Sequence, residues 1–139
     1  MLGLRRQSPP SWYQDRLDDE VREVVAAKSP LEKLSETSDI LFSIIRARYD
    51  GFPVHEPPLF VNYRHVLVYA YMLGKFTLRW KFYRTAAYLC KAPHCDSVRE
   101  VVNPGKDHKL QEVASRHHID PERFERVCWW LRWVFPLLP

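Results

Sequence analysis

The sequence predicts an all-α fold, an antiparallel helical bundle, on three observations. Apolar residues recur at helical spacing, as Leu17, Val21, Val24 and Val25 do. Caps and prolines bracket the periodic runs at the places where helices start and stop. No stretch alternates apolar and polar residues with period two, and no hairpin turn signal, internal repeat or low-complexity tract competes. At 139 residues and 46% hydrophobic, the chain suits one domain that buries most of its apolar surface.

The elements follow in order. Pro9, Pro10 and Ser11 punctuate the start, and a first helix is expected over 12–28. Ser29 is an N-cap candidate, Pro30 occupies the first helical position and Glu32 completes a capping box, so a second helix runs over 30–49. Asp50 and Gly51 end it, and the three prolines of "FPVHEPP" make a non-helical connection. A third helical stretch is expected over 59–90, long enough to be two helices with Gly74 as the break. After "KAPHCDS", short helices are expected over 97–102, 106–117 and 121–134, the last capped by Asp120 and opened by Pro121. We expect a core over 12–90 and a basic helical extension over 96–139, packed beside it through its Trp residues.

Nothing approaches the roughly 20 consecutive apolar residues of a membrane span, and "MLGLRRQSPP" lacks the apolar core of a secretory signal. Its two arginines fit the start of a mitochondrial presequence, but the segment is short and soon turns acidic, so a soluble, cytoplasmic protein without membrane contact is expected. Cys90, Cys95 and Cys128 are odd in number and form no secreted framework, so reduced thiols are expected. Cys90, His94, Cys95, His117 and His118 contain zinc-ligating atoms, but the Cys pair is loosely spaced and no second pair follows. Residues 1–63 carry 8 Lys and Arg against 10 Asp and Glu, whereas residues 64–139 carry 13 against 7. That division suits an acidic metal site beside a basic anion site, or two mutually attracting faces of one fold.

The acids are ordered. Glu20 and Glu23 lie three apart on the first helix, Glu36 and Asp39 three apart on the second, and the short connection makes the helices antiparallel neighbours. Four carboxylates there supply the oxygen ligands that Mg²⁺ or Mn²⁺ prefers, and would equally serve as a solvated face.

Glu20-x-x-Glu23 followed, after twelve residues, by Glu36-x-x-Asp39-Ile-Leu-Phe resembles the EXXE…EXXD signature of the MazG-like all-α nucleoside triphosphate pyrophosphatases. Lys75-Phe76-Thr77-Leu78-Arg79 is similar to the family's K-F-x-x-R run, and the resemblance covers about residues 12–88. Ser38 and Leu73 depart from it, standing where members usually have Gly and often Asn. The resemblance implies Mg²⁺ (or Mn²⁺) held by Glu20, Glu23, Glu36 and Asp39, these four also being the catalytic set. It implies cleavage of a nucleotide between its α- and β-phosphates, with Lys75 and Arg79 offsetting charge on the leaving pyrophosphate. The segment "KFTLRWKFYR" adds Lys81 and Arg84 as candidate substrate contacts and interleaves Phe76, Trp80, Phe82 and Tyr83, a composition that holds phosphate and stacks a base. An amphipathic helix burying the aromatics explains the same run equally well. The resemblance and the aromatic tail together imply a homo-oligomer.

Two other functions compete. The departures fit a MazG-like scaffold turned to a small organic molecule, as isomerase, cyclase or non-catalytic subunit, with Tyr63, His65, Tyr69 and Tyr71 as proton donors. "LQEVASRHHIDPERFERV" looks like a helix-turn-helix whose second helix carries Arg123, Arg126 and Arg132, which points to DNA. Against it, "CWWLRWVFPLLP" is too apolar for a solvated recognition helix, so Cys128, Trp129, Trp130, Trp133 and Phe135 are expected to pack on the core or a subunit partner. No Gly-rich phosphate loop or covalent-nucleophile signature is present.

Overall fold

Cap chemistry sets the helix boundaries. The computed structural model describes residues 9–57 and 65–139, which form α1 (Pro10–Ala26), α2 (Pro30–Tyr49), α3 (Val66–Leu89), a short 3₁₀ turn (Cys95–Ser97), α4 (Asp107–Arg116) and α5 (Pro121–Val134), with no strand among them. The protein is all-α. Its described residues group into two compact units, one of 9–57, 65–74 and Pro139, the other of 75–138. The expectations for residues 1–8, and for a third helix beginning at Leu59, lie outside the described residues.

In the first unit, Pro10 opens α1 and Pro30 opens α2, each where its missing N–H is not needed. The capping box forms as expected: Glu32 N–H donates to Ser29 Oγ at 3.1 Å, and Ser29 N–H donates to a Glu32 carboxylate oxygen at 3.1 Å. Gly51 ends α2 with φ +83°, and Phe52 N–H then reaches back to the Ala47 carbonyl at 2.8 Å. Glycine reaches that left-handed conformation without a Cβ penalty. Leu17 and Val24 of α1 pack on Ile40 and Ile44 of α2, with Val21 and Val54 at the edge. The hairpin is antiparallel, for Tyr13 near the start of α1 donates its hydroxyl to Asp50 beyond the end of α2 at 2.8 Å and stacks on Phe52.

In the second unit, Phe82, Tyr83, Ala86, Ala87 and Cys90 of α3 share a core with Val98, with Leu110, Val113 and Ala114 of α4, with Ile119, and with Phe124, Cys128 and Leu131 of α5. Asp120 caps α5 by accepting the Arg123 N–H at 2.7 Å. Burial pushes the Cys128 thiol up to about 12 and raises that of Cys90, so these buried free cysteines serve as small apolar side chains.

Three expectations are corrected. α3 runs through Gly74 without a break, since one glycine costs a helix only about 1 kcal/mol. The segment 97–102 is not helical beyond the 3₁₀ turn. Carbonyls of this segment and of the residue before it serve α3 instead: Asp96 accepts from Arg84 Nη2 at 2.7 Å, Val98 from Trp80 Nε1 at 2.9 Å and Val101 from Arg79 Nη1 at 3.4 Å. Finally, α5 turns its Trp residues outward. Positions 124, 128 and 131 share its inner face, which places Trp129 (56% exposed), Trp130 (64%) and Trp133 (78%) on the outside, while Cys128 and part of Phe135 pack inward as expected.

Candidate metal centre

The α1–α2 hairpin brings acids together. The buried stripe of α1 is Tyr13, Leu17, Glu20 and Val24, so a carboxylate occupies a position whose helical period calls for an apolar side chain. Glu20 is 2% exposed. One ligand oxygen from each of Glu20, Glu23 and Glu36 lies within 4.8 Å of the others, with Glu36 half-buried and Glu23 exposed. Asp39 stands outside that trio, yet its charge acts on Glu20.

Electrostatics mark Glu20 as the strained member. Burial, then the charges of Asp39, Glu23 and Glu36, push its carboxyl up to about 7 against the opposing pull of Arg16. Arg16, one turn earlier on α1, forms an ion pair with Oε1. Oε2 is buried and has no hydrogen-bond partner among the described residues. A buried carboxylate oxygen left in this way is costly unless a proton or a cation meets it. The set therefore fits a hard divalent cation: oxygen donors only, grouped, excess in negative charge, one oxygen unsatisfied. Ser38, standing at the departure from the MazG-like pattern, is fully buried and turns its hydroxyl onto the Ser35 carbonyl of its own helix.

The other expected site residues lie apart from the acid group, Lys75, Arg79, Lys81 and Arg84 in the second unit and His65, Tyr69 and Tyr71 in the first. Lys75 and Arg79 are buried, at 1% and 6% exposure, and their charges sit over the Phe76 ring. Lys81 is exposed, and Arg84 lies over Trp80 and binds Asp96. His65 and Tyr69 are exposed, Tyr71 is half-buried, and Tyr63 lies outside the described residues. No group of potential metal ligands among the described residues includes Cys90, His94 or Cys95. α4 and α5 form with a four-residue connection in which His118 takes a left-handed conformation, φ +54°; Arg132 is bound to Asp107 at 2.6 Å, while Arg123 and Arg126 are exposed.

The sequence did not reveal the pairing of Glu100. That carboxylate is buried and accepts from Arg116 Nε and Nη2 at 2.9 and 3.0 Å, with His117 Nε2 at 3.1 Å. Nothing in the spacing of these residues signals it, because Glu100 lies in a stretch without periodicity.

No family model, curated protein or solved structure matches the chain.

Proposed function

We propose that the protein is a divalent-cation-dependent nucleotide pyrophosphohydrolase that cleaves a nucleoside triphosphate to the monophosphate and pyrophosphate. A single observation carries the reading: Glu20, Glu23 and Glu36 converge around a buried, unsatisfied Glu20 oxygen, at the positions where the EXXE…EXXD resemblance calls for metal ligands. Those three side chains would hold Mg²⁺ or Mn²⁺. When bound, such a cation neutralises phosphate oxygens and acidifies a coordinated water.

The remaining work falls to the chain's own groups. Without a cation the Glu20 carboxyl keeps its proton up to about pH 7, because burial and the neighbouring acids disfavour its charged form, and it would give that proton up on binding one. Asp39 keeps the local potential negative from beside the trio, which favours a cation over an anion there. The low exposure of Glu20 limits water around its own carboxylate. The phosphate-binding role of Lys75 and Arg79 comes from the resemblance and that of Lys81 and Arg84 from the composition of the same segment, and all four belong to this proposal.

The test is a screen of nucleoside triphosphates with Mg²⁺ or Mn²⁺ for pyrophosphate release, run beside calorimetric titration of the metal alone. Release that requires the metal and disappears in Glu36→Gln supports the reading. Metal-independent binding of an apolar compound with no release would favour a repurposed scaffold, and salt-sensitive duplex binding a DNA reader.

A further inference from the structure

The second unit carries a groove that shares no residue with the acid cluster. It has a volume of about 600 Å³ and is lined by Leu89 of α3 and by Arg123, Arg126, Val127, Trp130 and Leu131 of α5. Small-molecule sites commonly fall at about 300–1,000 Å³. Leu131 is buried and Val127 half-buried, forming the floor, while Leu89 (46% exposed) and Trp130 form the walls.

Charge decides the ligand class. No carboxylate lines the groove, and both of its charged residues are arginines. Among the described residues neither Arg123 nor Arg126 enters an ion pair, in contrast to Arg132 on the same helix, which is held by Asp107. A guanidinium presents a planar fork of donors that matches a carboxylate, sulfonate or phosphate. The indole of Trp130 offers an apolar face and a single donor.

We propose that this groove binds a small apolar organic anion, its hydrocarbon or aromatic body resting on Leu89, Val127, Trp130 and Leu131 and its anionic group held by Arg123 and Arg126. The groove is open to solvent, with Trp130 64% and Leu89 46% exposed, and its volume is that of a small ligand rather than of an extended surface such as a bilayer. The two arginines favour an anion over a neutral hydrocarbon.

The experiment titrates the full chain with decanoate, below its micellar concentration, and with decanol as the uncharged comparator of the same body, following the Trp indole N–H resonances. Decanoate should bind saturably, one per chain, with decanol weaker by at least about tenfold. Arg123→Gln/Arg126→Gln should abolish that preference without changing the circular dichroism, because both side chains are exposed. Trp130→Ala should weaken both ligands, and Trp130→Phe should restore part of the loss. Equal affinity for decanoate and decanol, or unchanged decanoate binding in the double arginine variant, would overturn the proposal. So would unsaturable partitioning, binding only to anionic phospholipid vesicles, or a concentration-dependent dimer that Trp130→Ala dissociates while decanoate leaves the groove unoccupied.

Discussion

The charge of Asp39 on α2 acts across the α1–α2 hairpin on Glu20 of α1, and together with burial, the larger cause, it holds the Glu20 carboxyl protonated up to about pH 7. Between pH 4.5, the ordinary value of such a group, and about 7, the native state keeps a proton that the unfolded chain gives up. The native state binds more protons throughout that window, so stability falls as pH rises through it and levels off above. The expected loss is on the order of 3 kcal/mol. Urea melts of the metal-free protein at several pH values measure it, and Glu20→Gln should flatten the profile. A wild-type profile that is flat between pH 4.5 and 7 would contradict the burial argument.

Metal should reverse the sign of that penalty. Binding of Mg²⁺ or Mn²⁺ at Glu20, Glu23 and Glu36 requires the ionised carboxylates, so its affinity should rise with pH through 7 and a proton should be released on binding. Saturating metal should raise the melting temperature of the parent, and by much less in Glu20→Gln or Glu36→Gln. Calorimetry in two buffers of different ionisation enthalpy counts the proton.

Asp39→Asn keeps size while removing one negative charge beside the trio. Metal affinity and pyrophosphate release should fall together, and stability without metal should stay level or rise because the repulsion on Glu20 is relieved. A variant that releases pyrophosphate as fast as the parent at matched Mg²⁺ would remove Asp39 from the mechanism.

Three helices end in the same way, two of them without glycine. Lys91 after α3 and His118 after α4 have φ of +57° and +54°, and the following N–H bonds back to Ala87 and Ala114 at 3.0 and 2.9 Å. A side chain in that conformation carries strain that glycine does not. Lys91→Gly should therefore stabilise the protein by about 0.5–1 kcal/mol in a denaturant melt.

Arg116→Ala removes the guanidinium that pairs with the buried Glu100 carboxylate and leaves His117 beside it, and should cost on the order of 2 kcal/mol given that Arg116 is partly exposed. The Glu100→Gln/Arg116→Ala double variant should lose less than the two single losses combined. Additive losses in the thermodynamic cycle would show the pair to be uncoupled.

The helices were legible in the sequence because their signals are local. Ser29, Pro30 and Glu32 open α2, and Asp120 with Pro121 opens α5, through contacts spanning three or four residues. The approach of Glu20, Glu23 and Glu36 was legible for the same reason, since period and connection length place them on facing turns, whereas the expected fourth member, Asp39, stands outside the group. Segment 97–102 was not legible, since its Val98 and Val101 carbonyls are taken by Trp80 and Arg79 some twenty residues away.

What the sequence by itself determined, then, is the set of helices and the order of the carboxylates along α1 and α2. Tertiary structure decided which of those carboxylates loses its water. Glu20 shares a stripe with Leu17 and Val24 that the packing against Ile40 and Ile44 buries, whereas Glu23, three residues on, remains exposed. Tertiary structure likewise decided that Phe124, Cys128 and Leu131 turn to the core of α5 and the tryptophans to solvent. Both outcomes have one cause: helical periodicity says which residues share a face, but only the neighbours that pack against a helix determine which face is removed from water.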